Sequence, residues 1–149
     1  MGLIINRLTN LKLRDIVEQL GISADTSVHA DMPLYIGGPV QNNRGFVLHE
    51  PIGKWEATLS ISDTLGVTTS RDILEAIINN EAPEHFIVTL GYAGWDAGQL
   101  EKEMTENAWL NVPASHEILF DLSPENRWKA AARLAGVDIS LLSSEAGHA

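Results

Sequence analysis

Apolar side chains recur along this chain at spacings that predict most of its elements. After Thr9-Asn10, residues Leu13, Ile16, Val17 and Leu20 fall at i, i+3, i+4 and i+7 and then meet Gly21. That is the pattern of an amphipathic helix with a polar N-cap and a C-terminal glycine. Ser70 followed by Ile73, Leu74, Ile77 and Ile78 predicts a second helix with a wide apolar stripe. It must end before Pro83, because the residue ahead of a proline is pushed out of the helical region. Asp96 with Gln99 three residues later resembles a capping box and opens a third helix, with Leu100 and Met104 facing inward. Ser123-Pro124 and Gly136 bracket a fourth, on which Trp128, Ala131, Ala132 and Ala135 share one face suited to close packing on a sheet. Val137 to Leu142 reads as a short terminal helix, followed by a serine-rich tail.

Strand signals fall between these helices. Leu3-Ile4-Ile5 reads as a strand that begins abruptly. Leu34-Tyr35-Ile36 runs into Gly37-Gly38-Pro39, and Gln41-Asn42-Asn43-Arg44-Gly45 has turn chemistry ahead of Phe46-Val47-Leu48-His49, so the two strands suggest a hairpin. From Ala57 to Ser62 the chain alternates, placing Ala57, Leu59 and Ile61 on one face of a half-buried antiparallel strand. Phe86 to Leu90 is mostly apolar and expected at the centre of a sheet, and His116 to Phe120 is predicted as a further strand. Hairpins mixed with isolated helices argue for an α+β fold rather than a doubly wound parallel sheet. No internal repeat and no long linker divides the chain, so one domain over residues 1–149 is expected.

Composition narrows the class. The 149 residues are 44% hydrophobic and 20% charged, which suits a globular domain rather than a disordered one. The lack of cysteine excludes disulfides, thiolate metal sites and a cysteine nucleophile. The longest apolar stretch, Phe86 to Trp95, falls short of the ~20 residues of a membrane span. Leu3-Ile4-Ile5 is too short for a signal-peptide core and has no cationic region before it. Asn6 stands where a myristoylation signal needs Ser or Thr. A soluble, acidic, cytoplasmic domain is expected.

The formal charge of −10 is concentrated. Between Asp72 and Glu125 stand eleven acids and a single base, Lys102, while the flanks hold nine of each sign. An acidic middle opposes contact with nucleic-acid phosphates, so direct DNA binding is not expected. Arg127, Lys129 and Arg133 form the best basic cluster, which reads as a solvated helix face that it shares with Glu125.

Two stretches carry candidate chemistry. Gly91-Tyr92-Ala93-Gly94-Trp95-Asp96-Ala97-Gly98-Gln99 is a glycine-rich loop between a strand and a helix, a place where backbone N–H groups can face an anion. Its spacing fits neither the dinucleotide nor the P-loop fingerprint, and Asp96 already puts a negative charge where a phosphate would sit. The glycines equally let Trp95 and the helix pack closely on the strand. Gly91, Tyr92, Gly94 and Trp95 are the candidates there for ligand or partner contact. Gly37-Gly38-Pro39 with Arg44 and His49-Glu50 forms the second stretch, readable as a rigid rim where Arg44 binds a carboxylate and His49 with Glu50 moves a proton. Neighbours on a strand point to opposite faces, so the alternative is a bulge and turn with His49 satisfied in the sheet. Gly37, Gly38, Arg44 and His49 are the candidates there. The histidines show no zinc-binding spacing, and there is no G-x-S-x-G elbow. No catalytic residue, metal or cofactor is assigned. His148, beside the terminal Ala149, either frays in solvent or tucks the tail onto the body.

Taken in order, Tyr35-Ile36-Gly37-Gly38-Pro39-Val40, Arg44, Phe46-Val47-Leu48-His49, Leu90-Gly91-Tyr92-Ala93-Gly94-Trp95, Gly98-Gln99-Leu100-Glu101, Asn107-Ala108-Trp109-Leu110, Pro113-Ala114 and Gly147-His148-Ala149 resemble the AlgH/YqgE family, as do Leu119-Phe120-Asp121 and Trp128 with Leu134-Ala135-Gly136-Val137-Asp138. The likeness runs over essentially the whole chain. Met1 to Asn6 is similar to an interior strand of that family, whose members normally begin with a further segment, so an N-terminally truncated or late-started chain is expected. The resemblance implies a bacterial α+β domain whose mixed, mostly antiparallel bifurcated sheet forms an incomplete barrel flanked by helices. The family carries a transcriptional-regulator label from a genetic effect on alginate production, and it has no established catalytic residues. The expected function is a non-catalytic interaction or regulatory module acting indirectly through a protein partner, with the loop around Trp95 as its contact surface. The alternative is a small-molecule-binding protein or enzyme with a pocket near Gly37-Gly38-Pro39. An absent strand would leave a sheet edge open to pairing between chains.

Overall fold

The computed structural model describes residues 1–137, so His148 and all but the first residue of the expected terminal helix lie outside the described residues. The chain divides into two compact units, Met1–Gly94 and the part from Trp95 on. In the first unit, β1 (Leu8–Lys12), β2 (Pro33–Ile36), β3 (Val40–Glu50), β4 (Thr58–Ser60), β5 (Gly66–Thr68) and β6 (His85–Tyr92) form one sheet in the order β1-β2-β6-β3-β5-β4. The β2–β6 pair is parallel and the other four pairs are antiparallel. β1 and β4 end the sheet and do not pair with each other, so the described strands do not close into a barrel. Helices α1 (Leu13–Val17) and α2 (Arg71–Ile78) belong to this unit.

The strongest local patterns appear as expected. α2 starts after Ser70 and buries Ile73, Leu74, Ile77 and Ile78. These pack with Leu13 and Val17 of α1, Leu34 of β2, Val47 of β3 and Val88 of β6 in one core. Each such burial stabilises the fold by roughly 1.5–3 kcal/mol before the entropy of ordering is counted. β6 lies inside the sheet, buried from Ile87 to Gly91.

Longer-range expectations change. The hairpin between the strand at Leu34 and the strand at Phe46 does not form, because β6 lies between β2 and β3. A strand buried on both faces from Ile87 to Leu90 needs a ladder partner along each edge, and β2 and β3 supply them. The turn-like Gln41–Gly45 segment is absorbed into β3, where the register slips between Val40 and Gly45. Thr9 and Asn10 lie in β1, and α1 starts later: the Lys12 N–H donates to Asp15 Oδ2 at 2.8 Å. Leu20, beyond the shortened helix, is exposed. Leu3-Ile4-Ile5 is not a strand. Instead Gly2 bridges Ala93, and the Ile4 N–H donates to the Gly37 carbonyl at 2.8 Å. Leu59 and Ile61 are exposed rather than half-buried, since β4 is a three-residue edge strand.

The second unit contains α3 (Gln99–Thr105), a π-helical turn (Glu117–Asp121) and α4 (Pro124–Leu134). The stretch expected as a strand from His116 to Phe120 is therefore helical. α3 begins at Gln99 with Gly98 as its N-cap, so Asp96 does not cap it and only half of the expected box forms, the Asp96 N–H donating to Gln99 Oε1 at 3.0 Å; Met104 is exposed and no α3 side chain is fully buried. α4 begins with Pro124 after an extended Ser123 and stops at Gly136, whose φ of +81° suits a residue without a Cβ. Lys129 and Arg133 are exposed as expected, whereas Arg127 is only 5% exposed and does not belong to a solvated face. Among the described residues no helix is long and apolar enough to cross a membrane.

Candidate functional site

The glycines of the two conspicuous motifs meet each other. Gly37 and Gly38 follow β2 and lie against the end of β6, where the Gly37 N–H donates to the Leu90 carbonyl at 2.7 Å. A Cβ on Gly37 would stand 2.3 Å from the Gly91 oxygen, and one on Gly38 would stand 2.1 Å from the Tyr92 carbonyl carbon. These glycines are close-approach positions between two backbones, and their free sides are filled by the neighbouring chain rather than by a cleft. The Tyr92 ring meets Phe46 edge-on at 5.4 Å. Gly94 stays exposed, with only ordinary contacts at its Cβ position.

His49 and Arg44 go elsewhere. His49 is fully buried, with Nδ1 2.9 Å from the Pro51 carbonyl and Nε2 2.7 Å from Thr68 Oγ1, which in turn lies 2.7 Å from Thr58 Oγ1. A carbonyl only accepts, so Nδ1 carries the proton. Nε2 then accepts from the Thr68 hydroxyl, and Thr68 from Thr58. Burial pushes the imidazole below its ordinary value of 6.5, against a smaller opposing effect of the Pro51 carbonyl. This is a hydroxyl–imidazole pair, yet Thr68 is as buried as His49, and the third partner is a carbonyl rather than a carboxylate able to stabilise an imidazolium. Its chemistry is structural: it ties β3 through β5 to the edge strand β4. Glu50 accepts from the Thr64 hydroxyl at 3.1 Å.

Arg44 is exposed on the irregular half of β3, its guanidinium 5.9 Å from the centre of the Phe46 ring. It borders a groove of about 370 Å³ whose other walls include Ile16, Leu20, Arg71 and Leu74, and His49 is not among them. Arg71 carried no signal in the sequence beyond its place at the start of α2.

Trp95 belongs to the second unit. Its indole N–H donates to Glu103 Oε2 at 3.1 Å, the Trp109 indole donates to the same oxygen at 2.9 Å, and the Gln99 amide donates to Oε1 at 3.0 Å. The two rings meet edge to face, 5.8 Å apart. Trp109's N–H, then Gln99's amide and Trp95's N–H, hold the Glu103 carboxyl below its ordinary value of 4.5 against partial desolvation. Trp109 remains 49% exposed and Leu110 63%. Both line a groove of about 400 Å³ whose walls are otherwise mostly small and apolar, with Trp128 at one side. Sequence reasoning nominated Trp95 but missed Trp109 and Glu103. The available signal was Gln99 and Glu103 at i, i+4 on a helix flanked by two tryptophans.

An open mixed sheet with a sealed histidine, and a second unit in which two indoles share one carboxylate, define an α+β protein. Residues 1–140 match the AlgH-like family, and the chain belongs to it. The UPF0301 proteins of Nitrosospira multiformis and Thioalkalivibrio sulfidiphilus are each 52% identical over 149 residues, covering all of this chain and 80% of theirs. The solution structure of the AlgH protein from Pseudomonas aeruginosa superimposes with a TM-score of 0.78 at 49% identity, covering all of this chain and 79% of that one. A crystal structure of protein DIP2367 from Corynebacterium diphtheriae shares the fold alone, with 16% identity, a TM-score of 0.55, and coverage of 76% of this chain and 59% of that one.

Proposed function

We propose that this AlgH-like protein is a non-catalytic interaction module of the bacterial cytoplasm, whose contact surface of Trp95, Trp109 and Leu110 takes a basic, amphipathic segment of a partner protein. The observation that carries this reading is the shared carboxylate: Glu103 occupies both indole N–H groups and so fixes two rings, of which Trp109 stays 49% exposed. Rigid aromatic residues beside an apolar groove are the usual anchors of protein contacts. From Trp95 to Leu110 the chain carries Asp96, Glu101, Glu103 and Glu106 against Lys102, and that excess steers cationic partners inward. A role in gene regulation, on this reading, is indirect. The bifurcated, incomplete barrel belongs to the same proposal, since the two sheet edges give it places to extend.

The test uses two synthetic helical peptides of equal length, one with leucines flanked by lysines and one with the lysines replaced by glutamates. Tryptophan emission of the whole protein is expected to respond saturably to the basic peptide alone. Trp109→Ser is expected to weaken that response about tenfold or more, a loss of the size typical of an aromatic anchor. Equal response to the acidic peptide, or an unaffected Trp109→Ser protein that retains its fold, sinks the assignment. The isolated chain is also expected to show no duplex-DNA binding. A steep fall of log affinity with log salt would replace the indirect role by a direct one.

A further inference from the structure

We infer a second site of a different kind in the first unit: the groove beside β3, α1 and the start of α2 binds a small aliphatic monocarboxylate, with the carboxylate on Arg44 and the hydrocarbon on Ile16, Leu20 and Leu74. It does not depend on the tryptophan surface.

The cationic end is prepared. Among the described residues Arg44 makes no ion pair, in a chain with 20 acids and 10 bases, and its guanidinium rests near the Phe46 ring at 5.9 Å. An aromatic neighbour restrains the planar fork, and that fork matches a carboxylate with two parallel hydrogen bonds. The register slip between Val40 and Gly45, with Gln41 at a φ of +48°, lifts this part of β3 out of a regular ladder. Such irregularities commonly re-aim a side chain next to a site.

Charge sets the valence of the ligand. The second guanidinium on the groove, Arg71, is already held by Glu75, with Nε to Oε1 at 2.6 Å. Arg44 is therefore the groove guanidinium without an acidic partner among the described residues, a single charge that one carboxylate neutralises and a phosphate dianion overcharges. The end of α2 adds no free anion site, because Asp72 already accepts from the Ser70 hydroxyl and the Ile73 N–H.

The apolar end is equally defined. Leu74 is nearly buried, Ile16 packs partly on the core, and Leu20 is 40% exposed although it is a large aliphatic side chain. Gly45 keeps the groove open: a Cβ there would find nothing nearer than Leu74 Cδ1 at 3.8 Å. A volume of about 370 Å³ lies at the small end of the range found for ligand pockets.

The experiment titrates the whole isotope-labelled protein with 4-methylpentanoate, its neutral amide and the corresponding alkyl phosphonate, following backbone amide resonances. The carboxylate is expected to shift Arg44, Gly45 and Leu74 saturably within about 10 mM, and Arg44→Gln to weaken binding about tenfold or more, the cost of a charge-assisted pair. Gly45→Val, which fills the groove without touching a charge, is expected to abolish the response. An unchanged spectrum outside the groove verifies that each variant is folded. Equal binding of the amide, no saturation of the native protein, full binding by Arg44→Gln, or shifts confined to Trp95–Leu110 overturns the site. Preference for the phosphonate overturns the single-charge argument. Tighter binding of an acetylated tripeptide ending in leucine overturns the small-ligand reading in favour of a chain terminus.

Discussion

Helices α2 and α3 have eight and seven residues, yet they use their side chains in opposite ways. α2, in the first unit, buries all four of its large aliphatic residues in a core shared with α1 and the sheet. α3, in the second, buries none completely, and its best-placed side chain is a carboxylate that receives three N–H donors. The contrast extends to whole units: among the described residues every buried hydrophobic side chain except Ala132 lies in Met1–Gly94. The first unit is thus held by apolar burial, which is non-directional and large. The tryptophan cluster is held by directed polar contacts, which are individually small but fix orientation.

That contrast can be broken most directly in the core. Ile77→Ala, at a position with no exposure, is expected to cost about 2–5 kcal/mol by urea unfolding. Met104→Ala, on exposed α3, is expected to change stability by no more than about 0.5 kcal/mol. Comparable losses from both would show that α3 is packed as tightly as α2.

His49 offers a sharper, intermediate test, because it is a polar group inside the apolar unit. His49→Phe removes the acceptor of the buried Thr68 hydroxyl and is expected to cost about 1–3 kcal/mol. The sign of its pH dependence follows from the depressed imidazole. Below the ordinary value of 6.5 the unfolded chain takes up a proton that the folded state refuses, so this contribution is full above that pH and lost as pH falls beneath it. Unfolding free energies measured across pH 5 to about 8 should show that slope in the native protein and lose it in His49→Phe. An unaltered slope would mean that other groups carry it.

The smallest effect is expected at Glu103. Acid titration of tryptophan emission should show a transition with its midpoint below 4.5, since protonation weakens the acceptor shared by both indoles. Glu103→Gln should remove the transition with little change in the urea midpoint. Persistence of the transition in that variant would show that the indoles report on a different group.

Local pattern made part of this structure legible. The stripe and proline stop of α2, the buried strand at β6, and the proline and glycine that bracket α4 are each read from fewer than about a dozen neighbouring residues, because helix and strand periods and cap chemistry act within single elements. The candidate site was legible only as fragments. Gly37, Gly38 and Gly91 were all conspicuous, but only the parallel pairing of β2 with β6 shows that they serve one another. Trp95 was visible, whereas its partner Trp109 became meaningful only through Glu103. Arg44 was nominated with His49, and the structure gives it Arg71 and an aliphatic wall instead. Leu59 and Ile61 alternate as a half-buried strand should, and their exposure follows from an edge position that no alternation encodes.

By itself, then, the amino-acid order determined the stripe of α2, the bracketing of α4 and the buried strand β6, that the fold mixes helices with a sheet, and that the negative charge gathers in the middle of the chain. Tertiary structure alone decided which strands became neighbours, which apolar residues stayed wet, and which polar groups met across dozens of residues. The physical reason is one of range. Torsional preference and side-chain periodicity act over a few residues, while strand pairing and burial compare whole arrangements of the chain and settle on the one that satisfies the most backbone groups and removes the most apolar surface from water.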